Sequence, residues 1–352
     1  MTTASEQILS HNVAHQIALS RYSTGVTKKI LAILARTDKK IVKRLERDGL
    51  TEIGRMRLQR QLKAIREILK DGHEQLAGAL RSELLGLTQQ EISFQGELFT
   101  QAIPVQLDYA TPSPHQVYAA AMARPFQTKM MREWLADYER AKRQKIIGTI
   151  QQGFITGDTT NQIVQNLRGT RSMSYRNGVL RSTRSSAERM VRTSIAHFAS
   201  VARDRFYEEN QDIIKAEKYV AVLDSRTSNI CKSLDGKVFE RGKGVMTPAH
   251  PNCRSLRTPI LKSFAELGFD VRELPPSVRS SMNGTVPADM NYEEWLRKQS
   301  VSVQNDALGA TRAKLFRKGG MTIDKFVDKR GASYTLDQLR KRDAAAFEMA
   351  GV

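Results

Sequence analysis

The chain has 352 residues, with 56 Lys and Arg against 37 Asp and Glu, a formal net charge of +19. That excess points to polyanionic partners and says nothing of fold. With 40% hydrophobic and 26% charged residues a packed core is within reach, so wholesale disorder is excluded, and the length suggests two or three domains.

No run approaches the roughly 18 apolar residues that span a bilayer. MTTASEQILSHNVAHQIALS has no basic stretch followed by an apolar block, so no secretory signal is expected. With Cys231 and Cys253 alone, a disulfide-stapled scaffold is excluded and a reducing compartment expected. An aromatic share of 7% suits helices better than sheets.

Residues 1–105 read as helix. Val26, Ile30, Ile33, Leu34, Ile41, Val42 and Leu45 recur at spacings of three and four, as do Ile65, Ile68, Leu69, Leu76, Leu80 and Leu84. Gly49 is the expected break and Thr51 the expected cap of the second helix. Pro104, Pro112, Pro114 and Pro125 predict a connector over 100–127. Helix resumes at MREWLADYERAKRQKIIGTIQQGF. Asp158 or Thr159 caps a short helix ending at Gly169.

From Arg168 to Arg205 nine arginines face only Glu188 and Asp204, a net +7 with no lysine. Arginine suits bidentate contacts to phosphate or carboxylate. GTRSMSYRNGVLRSTRS reads as a loop able to order on a polyanion, followed by helix through RDRFYEEN. KAEKYVAVLDSR then reads as a strand, Asp235-Gly236 as a turn, Lys237–Glu240 as the returning strand, and residues 254–261 as another. PPSVRSSMNGTVPADM predicts a connector. NYEEWLRKQSVSVQNDALGATRAKLFRKGG predicts helix with Asn291 as N-cap and Gly319-Gly320 as stop, and Trp295 and Phe316 as core anchors.

The expected class is α+β and mostly α-helical. A long N-terminal helical hairpin or bundle covers 1–110, and a connector and helix start 111–139. A central helical plus small β-sheet domain covers 140–262, and a mixed helical tail 263–352.

Both cysteines and one of six histidines fall between Asp224 and Cys253. Cys231, His250 and Cys253 offer two thiolates and an imidazole for zinc, with Asp224 as a fourth ligand. A Cys231–Cys253 disulfide under oxidising conditions, and a pair of buried thiols with His250 and Asp224 bonded to backbone, are the alternatives. The zinc-deaminase and phosphate-loop patterns are absent. Arg168, Arg171, Arg176, Arg181, Arg184, Arg189 and Arg192 are the candidate contacts to nucleic-acid phosphates, sequence-independent and salt-sensitive; the alternative is a solvated face that pairs with acidic groups of a partner protein.

KYVAVLDSRTSNICKSLDGKVFERGKGVMTPAHPNCRS resembles the phage Mu F-like minor head protein family of phage head-morphogenesis proteins. The resemblance rests on Asp224, Arg226-Thr227, Cys231, Asp235-Gly236-Lys237, Pro248 and His250-Pro251-Asn252-Cys253-Arg254, with matching helices upstream, over roughly 140–262. The positions after Thr227 and Arg254, often Cys in the family, are Ser228 and Ser255 here.

The resemblance implies a low-copy minor capsid component of a tailed bacteriophage that associates with portal, capsid and scaffold proteins in the procapsid interior. It touches packaged double-stranded DNA non-specifically, and ejection with the genome is compatible with this. The implied location is the virion head, and the host cytoplasm during assembly. A metal- or thiol-dependent hydrolase or nuclease acting in head assembly is the alternative, with a structural role preferred to an enzymatic one.

Overall fold

Two long helices, α1 (Thr3–Asp48) and α2 (Arg55–Ala102), begin the chain. The structure is a computed structural model that describes residues 3–48, 55–126, 128–272 and 274–352. The expected break at Gly49 and cap at Thr51 lie outside the described residues. The apolar positions picked out by spacing are buried in both helices, apart from the half-buried Ile68. No helix among the described residues is long and apolar enough to cross a membrane.

The proline-rich stretch differs from expectation, because it holds a helix, α3 (Pro114–Ala123). Pro114 sits at its first position, where a missing N–H costs nothing and the fixed φ already suits the helix. Next come α4 (Met131–Thr156) and α5 (Thr160–Arg168). Thr159 caps α5, accepting from Gln162 N while the Gln162 side chain returns to the Thr159 backbone, and Gly169 closes the helix. The following loop is shorter than expected, since α6 (Val179–Glu209) already starts at Val179.

A three-stranded antiparallel sheet follows, with β1 (Ile214–Val220) between β2 (Val238–Phe239) and β3 (Leu256–Leu261). Helix α7 (Asn229–Leu234), which the sequence reading missed, lies between β1 and β2 in the chain. The expected connector at 275–290 is instead a hairpin, β4 (Val278–Ser281) with β5 (Gly284–Pro287), in register Ser281↔Gly284. The predicted tail helix is three: α8 (Tyr292–Arg297), α9 (Val301–Leu308) and α10 (Ala310–Arg317). Asn291 caps α8 as expected, while Gly309, at φ 81°, ends α9 early. A 3-10 turn (Ile323–Phe326), α11 (Leu336–Arg342) and α12 (Ala344–Ala350) complete the chain.

These elements form two compact units, each gathered from separate stretches of chain, so the four consecutive segments expected from sequence are interleaved. The helical unit takes Ser20–Gln89 and Pro114–Phe198. Its core packs Ile41, Leu45, Ile65 and Leu69 with Ile146, Ile150, Ile163 and Leu167. Within it the buried Asp38 carboxylate meets Lys142 Nζ at 3.2 Å and Arg184 Nη2 at 2.9 Å. Lys142 is held below its ordinary pKa by burial, which Asp38 only partly offsets.

The sheet unit takes Met1–Leu19, Gln90–Ser113 and Ala199–Val352. Leu9 and Val13 of α1 pack on Val220 and Leu256. Ser5 Oγ accepts from Leu261 N at 2.9 Å, and Asn12 Nδ2 donates to Thr258 Oγ1 at 3.3 Å. A second core in this unit gathers Tyr292, Trp295, Leu308, Phe316 and Phe347, with Trp295 and Phe316 buried as anchors.

Candidate functional site

Cys231 lies in the first turn of α7. That turn is fixed by Ser228, whose hydroxyl accepts from Cys231 N at 3.4 Å. His250 and Cys253 come from one tight turn. Cys253 N donates to His250 O at 3.1 Å, and Asn252, the third residue of the turn, has φ 58°. Pro at the second place and Asn at the third is the residue choice of a type II turn, which needs a left-handed third residue. The His-Pro-Asn-Cys spacing thus sets the imidazole and the second thiol beside each other.

The three side chains converge. Cys231 Sγ is 3.7 Å from Cys253 Sγ and 3.3 Å from His250 Nε2, and all three ligand atoms lie within 4.8 Å of one another. Tyr219 Oη of β1 is 3.2 Å from Cys231 Sγ. Backbone N–H groups of Ala249 and Ser255, and the Ser255 hydroxyl, reach Cys253 Sγ. The thiol–thiol contact splits the pair: with these donors it pulls Cys253 below the usual thiol range, while that contact and burial push Cys231 above it. The Cys231 contact raises the His250 pKa against the effect of burial.

Asp224, the expected fourth ligand, is engaged elsewhere. Its oxygens accept from Arg254 Nη1 at 2.6 Å and Nη2 at 2.9 Å, from Arg226 N at 3.1 Å and from the Thr227 hydroxyl at 3.0 Å. Burial opposes its charge, but Arg254 and Thr227 outweigh burial and hold the carboxyl below its ordinary range. Asp235 accepts from Ala221 N at 2.5 Å and pairs with Arg279 Nη1 of β4 at 3.2 Å, both side chains fully buried. Gly236, at φ 83°, donates its N–H to Tyr219 O at 2.9 Å and begins the return to β2. The motif residues therefore form one local framework: an Asp224–Arg254 fork, a Cys/His cluster and an Asp235 anchor under the sheet.

Sequence reasoning missed Tyr219, the direct Ser228–His250 contact at 2.7 Å and Arg279. It passed over Lys232 too, which is buried and donates to Asn229 Oδ1 and Ala307 O; desolvation lowers its pKa to about 8. Tyr219 looks like an ordinary strand residue in sequence, Lys232 stands on a helix that the sequence reading missed, and Arg279 lies 44 residues from its partner.

The arginine segment belongs to the helical unit from Arg168 to Arg192 and divides in two. Arg184 is joined to Asp38, Arg192 to Glu188 at 3.0 Å, and the exposed Arg168 to Glu46 at 3.4 Å. Arg171, Arg176, Arg181 and Arg189 are exposed and have no acidic partner among the described residues. Arg171 and Arg176 stand on a loop bonded to itself: Thr170 N donates to Asn177 Oδ1 at 2.9 Å, and Tyr175 N to Thr170 O at 2.9 Å. Arg203, at the far end of the segment, is buried beside Glu91 in the sheet unit.

Among curated proteins and solved structures, none matches the chain. Residues 144–257, about a third of the chain, match the family model described as Phage Mu protein F like protein. That span runs from α4 through the arginine loop and the Cys/His turn into β3. The residues knit into this framework at Asp224–Arg254 lie inside that span, over which the chain is similar to the Phage Mu protein F like family.

Proposed function

We propose that this chain is a low-copy minor head protein of a tailed bacteriophage that works in head assembly at the portal and procapsid interior and touches packaged DNA through its exposed arginines. The family match supports a role in phage head morphogenesis and association with phage structural proteins. The DNA contact is carried by one observation: Arg171, Arg176, Arg181 and Arg189 stand exposed and uncompensated within the matched span.

Guanidinium groups free of acidic partners bind phosphate without first breaking an ion pair, and such contacts are blind to base sequence. A protein of this kind stays with the head and can leave with the genome. Two experiments test the reading. Tagged chain should co-purify with portal and heads from infected cells; recovery only as free protein overturns the assembly role. Affinity for random duplex DNA should fall steeply as salt rises, and no binding at low salt overturns the DNA contact.

A further inference from the structure

We propose that Cys231, His250 and Cys253 form a three-ligand site for a zinc-class divalent ion that clasps α7 to the 250–253 turn, with the fourth position beside Ser228 rather than at Asp224. Such a clasp requires neither DNA contact nor portal association.

In a tetrahedral site with Zn–S near 2.3 Å and Zn–N near 2.0–2.1 Å, neighbouring ligand atoms lie roughly 3.4–3.8 Å apart. The Sγ–Sγ separation of 3.7 Å lies in that range, the Cys231 Sγ–His250 Nε2 separation of 3.3 Å is slightly shorter than it, and all three ligand atoms lie within 4.8 Å of one another, so a small side-chain adjustment seats the ion. The imidazole is already aimed. His250 Nδ1 is 2.8 Å from Pro251 O, an atom that only accepts, so Nδ1 carries the proton and Nε2 presents its lone pair to the sulfurs. A ligating histidine held through its other nitrogen by a backbone carbonyl is the usual outer support of a zinc site.

The sulfurs have matching support. Tyr219 Oη faces Cys231 Sγ, and the N–H groups of Ala249 and Ser255 face Cys253 Sγ, donors suited to thiolates. Two thiolates and an imidazole select zinc over harder ions such as magnesium or calcium. Asp224 is held by Arg254 and Thr227, whereas Ser228 Oγ is 2.7 Å from His250 Nε2 and so borders the open fourth position, to be filled by its hydroxyl or by water.

The test is elemental analysis of the full chain, purified reduced and given stoichiometric zinc, followed by cobalt exchange. One ion per chain and a thiolate-to-cobalt charge-transfer band are expected. Cys253→Ser should lose the ion, and Tyr219→Phe should weaken it about tenfold. Because Cys253→Ser can fail to fold, Ser228→Cys provides the second arm: a third thiolate at this position should tighten binding and strengthen the cobalt band. A folded, reduced chain that takes up no zinc, an intramolecular disulfide formed in preference to zinc binding, or a Ser228→Cys chain whose affinity does not rise, overturns the proposal.

Discussion

The segment 224–254 and the segment 168–192 are both rich in charge, yet they dispose of it in opposite ways. Around the motif the two buried carboxylates meet their counterparts inside the fold: Asp224 with Arg254, Asp235 with Arg279. Along the arginine segment only part is matched, and Arg171, Arg176, Arg181 and Arg189 are left to solvent. The first pattern specifies a structure, since a buried charge without its partner is costly. The second adds nothing to folding and leaves cations free for an external anion. Proximity in sequence says little about which role a charge has; its partner decides.

The sharpest way to break this contrast is at the Asp235–Arg279 pair. Asp235→Ala leaves a fully buried guanidinium uncompensated and removes the acceptor for Ala221 N, so denaturant unfolding should show a loss of about 3–5 kcal/mol. Replacing both partners together with apolar residues should recover much of that loss, because the penalty comes from the orphaned charge.

Next comes Asp224→Asn, which gives up charge-assisted bonds to Arg254 and should cost about 1.5–3 kcal/mol at neutral pH. The folded pKa of Asp224 is depressed, so its stabilising effect is complete above the unfolded value near 3.9 and is lost as pH falls through the lower folded value. Unfolding curves of wild type and D224N should therefore converge only in acid below about pH 4. A gap that is constant down to pH 2 would count against this pairing.

Smaller still is Gly178→Ala. A Cβ there would lie 2.3 Å from the Arg168 carbonyl, so the arginine loop must shift at a cost of about 1–3 kcal/mol. DNA affinity should fall with the displaced loop, as read by titration at fixed salt. The least effect on stability belongs to the triple change Arg171→Gln, Arg176→Gln and Arg181→Gln. Its melting temperature should not move, while the slope of log affinity against log salt should drop by about 0.9 for each phosphate no longer neutralised. A changed melting temperature with an unchanged slope would assign these arginines to the fold.

Much of this is legible in the sequence. The stripes of α1 and α2, the Thr159 and Asn291 caps and the β1–β2 pairing follow from local periodicity and capping chemistry, which a single segment carries on its own. The misses have physical causes. Pro114 reads as a breaker, although at the first helical position it is a starter. Asn283-Gly284 signals a tight hairpin, but the prolines around it argue for a connector. The convergence of Cys231, His250 and Cys253 is foreshadowed by their scarcity, and the His-Pro-Asn-Cys turn explains it. Their support by Tyr219 and Ser228, and the anchor at Arg279, depend on contacts between elements that no local pattern records.

The packing of Ser5, Leu9 and Asn12 on β3 has a consequence for biosynthesis. The first turns of α1 leave the ribosome about 250 residues ahead of their partners at Leu256, Thr258 and Leu261. Contacts of such sequence separation close slowly and leave apolar surface bare in the meantime. A fragment cut at the borders of the matched span, 144–257, would be made without α1 and with β3 ending at Arg257, so its sheet would lack the layer formed by Leu9 and Val13. The matched span thus leaves out the helix that covers its own sheet, and that cover forms only after β3 has been made.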